Sequence, residues 1–340
     1  MSARSSQKAM LPLAKLEGLH MQLPICPLTL ELPTNPVVAQ DGRVYEAHAW
    51  KMYIKTSKSK NKVVSPITKK RISSQVYASS DIRTMIESAV RNGDVPDDLC
   101  IAWKEKLQRD VKFAELIKAA KKNKVIIKEA FMVRHHPQWQ WIKKYIKSGN
   151  IGKITNISSV FSYNNKDPKN IRNIPKYGGG AIYDIGCYPT VISRYLLDKE
   201  PKKLVASNFK DKNFKTDILS SVLMDFGGIY SSFTVATQSN KSQQVFILGT
   251  KKSIVIENPF NAEPKKSTNI VIYNGNSIYR KDNTIKTFPP IDQYEVQVTA
   301  FSDHLLKKTK VDYDLVDAKK NMKVLDAIFK SSKKGSWIKV

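Results

Sequence analysis

Between residues 154 and 273 the chain passes through a succession of short apolar or alternating segments: 154–163, 204–209, 219–226, 229–236, 243–248, 253–256 and 269–273. Segments of this length, joined by turns as short as Phe226-Gly227-Gly228-Ile229, read as strands that pair with their neighbours in sequence. They predict one large, mainly antiparallel sheet. Two stretches with helical periodicity come next, 293–308 and 315–333, and would cover it. The fold class is therefore α+β, with helices layered on a sheet.

The first third of the chain has a different rhythm. Asp41-Gly42 is a turn signal between 36–39 and 44–45, which predicts a short hairpin. Ala47, Trp50, Met52, Tyr53 and Ile54 mostly share one helical face, and the Lys/Ser stretch 55–61 reads as a loop. A second helix starts near Ser80 as N-cap, carries Ile82, Met85, Ile86, Ala89 and Val90, and stops at Gly93. The pattern stays helical over 99–122 with no spacer, then 125–127 reads as a short strand and 137–148 as a helix closed by Gly149. This gives two domains: a leader over 1–21, a small domain with a trailing helix over 22–110, a connecting remnant over 111–130, and a large domain over 131–340.

A net charge of +27 raises the question of nucleic acid. Only ten of the 57 basic residues are arginine, and the lysines are scattered among Asn and Ile with no single stripe, so no specific nucleic-acid partner is expected. Of those 57, 40 fall after residue 110, which locates a change of style near Val111. No run reaches the roughly 18 apolar residues needed to span a bilayer. Cys26, Cys100 and Cys187 are odd in number and far apart, which excludes a disulfide framework and fits a reducing, cytoplasmic compartment. His135-His136 lacks a third ligand nearby, so no metal site is expected.

Cys26-Pro27-Leu28-Thr29, Asn35-Pro36-Val37-Val38, Asp41 through Glu46 and Ser65-Pro66-Ile67-Thr68 succeed one another in an order that resembles a U-box, the zinc-free, RING-like module of ubiquitin ligases. The resemblance implies that two loops grip a ubiquitin-conjugating enzyme, with Leu28 and Pro66 as apolar contacts and Ile25 beside the first loop.

Gly178-Gly179-Gly180-Ala181-Ile182-Tyr183-Asp184-Ile185-Gly186-Cys187-Tyr188-Pro189, together with 128–137, 148–154 and 321–327, resembles the C-terminal part of the Gfo/Idh/MocA oxidoreductases, dihydrodiol dehydrogenase-like members above all. A helix starting near Ala181 would put Asp184 and Tyr188 on one face, and the glycines would let a ligand approach closely. The resemblance implies that Asp184 and Tyr188 pass a proton to or from a substrate hydroxyl while hydride moves to or from NAD(P), in a cleft lined by Arg134, His136, Arg172, Gly179 and Gly180. It also implies pairing of subunits through the exposed sheet face. The family's lysine comes from Glu-Lys-Pro, whereas Glu105-Lys106-Leu107 reads as the tail of the small domain. No Gly-x-Gly-x-x-Gly stands ahead of the glycine run, so no cofactor is expected to bind tightly and the pair would be an ancestral site.

The sequence supports three readings. The first is a U-box ubiquitin ligase with a dehydrogenase-derived scaffold as its second half. The second is an NAD(P)-dependent oxidoreductase for a sugar or trans-diol, incomplete in this chain, and the third a recent or artificial fusion without joint function.

Overall fold

The computed structural model describes residues 23–55, 62–275, 281–307 and 313–340. The expected leader and most of the 55–61 loop lie outside them. The chain divides into two compact units, Met1–Lys118 and Ala119–Val340.

In the first unit, β1 (Pro36–Ala39) and β2 (Val44–Glu46) form the expected hairpin, with Gly42 at φ 71° in its turn. Helix α1 (Ala47–Lys55) comes next, then a second hairpin of β3 (Lys62–Val64) and β4 (Arg71–Ser73), and β5 (Val76–Ala78), which returns to β1. Helix α2 (Ser80–Asn92) is capped by Ser79, one residue earlier than expected. Ser79 has an extended backbone, and its Oγ accepts the Ile82 N–H at 3.2 Å. Helix α3 (Asp97–Lys122) contains the division between the units. Cys26, Val37, Tyr45, Trp50 and Val63 make one apolar cluster, and Leu32, Ile86, Ala89, Val90 and Trp103 another.

In the second unit the segment 125–127 is not a strand. Val125 and Ile126 are exposed, and no described strand lies beside them to take up their backbone groups, without which apolar β-branched residues do not make a ladder. Helix α4 (Pro137–Lys147) has Pro at its first turn and ends before Gly149 at φ 76°.

The sheet is formed by β6 (Ile154–Asn164), β7 (Lys203–Lys210), β8 (Asp217–Asp225), β9 (Tyr230–Ala236), β10 (Gln238–Gly249), β11 (Ser253–Ile256), β12 (Thr268–Tyr273), β13 (Asn283–Phe288) and β14 (Ile338–Lys339). Helix α5 (Cys187–Leu197) joins β6 to β7, while α6 (Gln293–Lys307) and α7 (Leu315–Lys334) come after β13. The strand order is β13-β12-β11-β10-β6-β9-β8-β7-β14. Among the described strands only the β6–β9 pairing is parallel, so the antiparallel expectation holds for the remainder. The parallel pair arises because α5, β7 and β8 intervene between β6 and β9, and a crossover of that length can return the chain in the same direction.

Alternation decides which face is buried. Ile157 and Phe161 of β6, Val222 and Met224 of β8, Phe233 and Val235 of β9, and Val245 and Ile247 of β10 share one core with Trp139 and Ile142 of α4, Ile192 of α5 and Val324 and Ile328 of α7. The residues that alternate with them, among them Val160, Leu219 and Leu248, face outward. The exposed β13 and the polar start of β10 were missed from sequence because neither has an apolar face to show.

Candidate functional site

The glycine run lies between two short 3-10 turns, Ile171–Asn173 and Pro175–Tyr177, and helix α5. It does not lead into a regular helix start. Ile182–Gly186 is a π-helical turn, whose wider spacing inserts a residue before α5 begins. Asp184 and Tyr188 have different hydrogen-bond partners, while the carboxylate still acts electrostatically on the phenol.

Asp184 is held from two sides. Its Oδ2 accepts the Tyr163 hydroxyl at 2.5 Å, and its Oδ1 accepts Nε of Arg172 at 2.9 Å. Its backbone N–H donates to the Gly180 carbonyl at 3.1 Å. Burial, and then the hydrogen bond to the Asp184 carboxylate, push the Tyr163 phenol well above its ordinary range, so it stays a donor.

Tyr188 sits among Phe131, Phe161 and Phe260, with ring centroids 5.7, 5.9 and 5.9 Å away. Among the described residues its hydroxyl has one hydrogen-bond partner, the Met132 thioether at 3.8 Å. Burial is the main cause raising its pKa, with the Asp184 carboxylate adding to it. The result is a protonated phenol with no strong acceptor.

The glycines serve the chain's own packing. A Cβ on Gly179 would lie 2.6 Å from the Arg172 carbonyl oxygen, and one on Gly180, at φ 119°, would lie 2.1 Å from Oδ1 of Asp217. The close approach expected of a ligand is already taken by protein atoms. Asp217, at the start of β8, also accepts the Ile182 N–H at 2.8 Å.

His136 is 1% exposed and caps α4, its Nδ1 accepting the Gln138 N–H at 3.1 Å. Burial pushes its pKa down to about 4, so the ring is neutral with its proton on Nε2. This corrects the cleft expectation for His136, whose ring is used as a helix cap. Arg134 is likewise 6% exposed; its Nη2 pairs with Asp317 at 2.8 Å, and its guanidinium lies over the Tyr313 ring at 3.9 Å. Burial pushes the Asp317 carboxyl up, but Arg134 and Arg194 outweigh it and hold the pKa below the ordinary value. Arg172 alone of the expected cleft side chains is exposed and bonded to Asp184.

Tyr163 and Asp217 were missed from sequence, since one reads as the end of a strand and the other lies just ahead of the segment read as 219–226. Lys106 ion-pairs with Glu46 at 2.8 Å inside the first unit. Among the described residues no group of three or more potential metal ligands occurs, and no helix is long and apolar enough to cross a membrane. Nor do the described residues include a glycine-rich turn between a strand and a helix of the kind that seats a pyrophosphate.

Residues 139–255 match the model of the GFO/IDH/MocA C-terminal domain. The chain is 38% identical over 212 residues to the uncharacterized oxidoreductase ORF334 of Rhizobium meliloti, covering 62% of this chain and 64% of that one. It is 24% identical over 220 residues to D-xylose 1-dehydrogenase (NADP(+)) 2 of Haloferax volcanii, covering 64% and 65%. The chain thus spans just under two thirds of the length of these relatives. Among solved structures, the aldose-aldose oxidoreductase of Caulobacter crescentus complexed with glycerol superposes with a TM-score of 0.60 at 20% identity, over 68% of each chain. These relatives are oxidoreductases, which overturns the ubiquitin-ligase reading. Ile25 and Leu28 pack against the first unit's own apolar clusters, and the Pro66 carbonyl accepts Nζ of Lys69 at 2.8 Å. Order and spacing of a short motif carried the resemblance, and Ile25, Leu28 and Pro66 are each half-buried.

Proposed function

We propose that the second unit forms the substrate side of an NAD(P)-dependent oxidoreductase of the Gfo/Idh/MocA kind, acting on a sugar or a trans-diol. Relatives named for D-xylose and aldose chemistry support the substrate class. The observation that carries the reading is the Tyr188 hydroxyl, half-buried in an aromatic cage near a fixed carboxylate and bonded only to a thioether among the described residues. A phenol left without a strong acceptor is available to a substrate oxygen.

A bound nicotinamide would supply or accept the hydride at the substrate carbon. The chain's own residues deal with the proton and the orientation. Tyr188, protonated throughout the physiological range, donates to the carbonyl oxygen in the reductive direction and recovers the proton in the other. Asp184 is already ligated once on each oxygen by Tyr163 and Arg172, and each oxygen retains a lone pair for a neighbouring substrate hydroxyl. Its two protein donors fix the carboxylate in advance, so orientation is not lost as substrate binds.

Titration with D-xylose and with a trans-1,2-diol, monitored by NMR of carbon-13-labelled tyrosine, tests this. Saturable shifts at Tyr163 and Tyr188 are expected, with affinity lowered at least tenfold by Asp184→Asn. Silence toward every sugar and diol tried, or shifts indifferent to the substitution, would reject the reading.

A further inference from the structure

We propose that Asp217, outside the site, is the positioning residue that sets where Asp184 stands. The inference rests on the proposed role of Asp184 for its functional meaning, while its geometric content is independent of that role. Asp217 is 3% exposed at the first position of β8 and touches both backbone supports of Asp184. One support is Gly180, whose carbonyl accepts the Asp184 N–H at 3.1 Å. Oδ1 of Asp217 occupies the place where a Gly180 Cβ would project, 2.1 Å from that point, so side chain and glycine are fitted to each other. The other support is Ile182, the first residue of the π-turn, whose N–H donates to Oδ2 of Asp217 at 2.8 Å. Ser220 Oγ donates to the same oxygen at 3.3 Å and fixes the carboxylate from its own strand.

A π-turn is a strained way to begin a helix, and it persists only where its surroundings hold it. The first amide of such a turn has no partner within the helix, and a carboxylate from a neighbouring strand satisfies it. Holding residues 180 and 182 from one side chain leaves the intervening backbone little freedom. Asp184, two residues on, then arrives within reach of Tyr163 and Arg172. Burial raises the Asp217 pKa, and the hydrogen bond from the Ile182 amide is the largest influence opposing that rise.

The readout is the Tyr163 hydroxyl proton, whose slow exchange reports the bond to Asp184. In Asp217→Ala and in Gly180→Ala that proton is expected to exchange at least tenfold faster, while Asp217→Asn, which keeps an acceptor for Ile182, stays within about threefold of the parent. A purely structural carboxylate would lower the melting temperature and leave the Tyr163 proton as it was. That result in a folded Asp217→Ala or Gly180→Ala chain would overturn the proposal. Should those variants fail to fold, the unaltered chain decides: a scalar coupling across the hydrogen bond from the Ile182 amide to the Asp217 carboxyl carbon is expected, and its absence overturns the proposal. If the Tyr163 proton responds as expected but neither sugar nor diol binds any of these proteins, the proposed function fails and the positioning role stands.

Discussion

The Tyr163 hydroxyl donates to Oδ2 of Asp184 at 2.5 Å, tying the end of β6 to a π-turn 21 residues further along. That bond, and not one between Asp184 and Tyr188, organises the carboxylate.

Replacing Tyr163 by Phe removes a charge-assisted donor, an interaction worth roughly 1.5–3 kcal/mol in folded proteins. Asp184 keeps Arg172 but loses its second anchor. A drop in stability of that order, with sugar affinity weakened about tenfold, is expected in parallel urea denaturation and NMR titrations.

Tyr188→Phe should separate stability from chemistry. The Met132 sulfur at 3.8 Å is a weak acceptor, so unfolding free energy is expected to change by less than about 0.5 kcal/mol. Turnover, measured wherever the dinucleotide-binding part is supplied, is expected to fall about 10²–10⁴-fold in kcat with little change in KM. A stable variant with unimpaired kcat would remove Tyr188 from the proton path.

Gly179→Ala drives a Cβ to 2.6 Å from the Arg172 carbonyl oxygen, a backbone atom that cannot swing aside. Overpacking of this kind costs about 1–3 kcal/mol. Urea denaturation is expected to show it, along with loosening of the Arg172 contact to Asp184.

His136 makes the fold acid-sensitive. Its pKa is near 4 when folded and near 6.5 when unfolded, so the unfolded chain binds the proton more readily. Stability is fully present above pH 6.5 and declines as pH falls toward 4, by roughly 3 kcal/mol for this group in total. His136→Asn keeps a side-chain acceptor for the Gln138 N–H and is expected to flatten that decline in denaturation curves taken at pH 7, 5 and 4.

Arg134→Met leaves Asp317 and the neighbouring Glu129 short of a buried cation. Burial already pushes the Glu129 carboxyl up, and Arg134 is the group that most opposes the rise. Breaking one side of such a pair costs about 3–5 kcal/mol. Thermal denaturation is expected to show a loss of that size.

The sheet was legible because its strands announce themselves locally: Ile157, Phe161, Val222, Phe233 and Val245 recur at period 2, and a face that must be buried betrays its strand. The same held for the α2 stop at Gly93 and the α4 stop at Gly149, where a positive φ calls for glycine. The motif around Asp184 was also visible, since it is continuous in the chain.

The purpose of the glycines was not. Their neighbours, Arg172 and Asp217, lie 7 and 37 residues away from Gly179 and Gly180, and no periodicity encodes such meetings. Sequence alone thus determined most strands of the large sheet and the helices that cover it, and that a carboxylate and a phenol stand near one another along the chain. Tertiary structure decided that the carboxylate is ligated by Tyr163, that Asp217 fixes its backbone, and that His136 and Arg134 are committed inside the protein. Alternation and capping are properties of neighbouring residues, whereas a hydrogen bond between distant side chains exists only once packing has brought both to the same place.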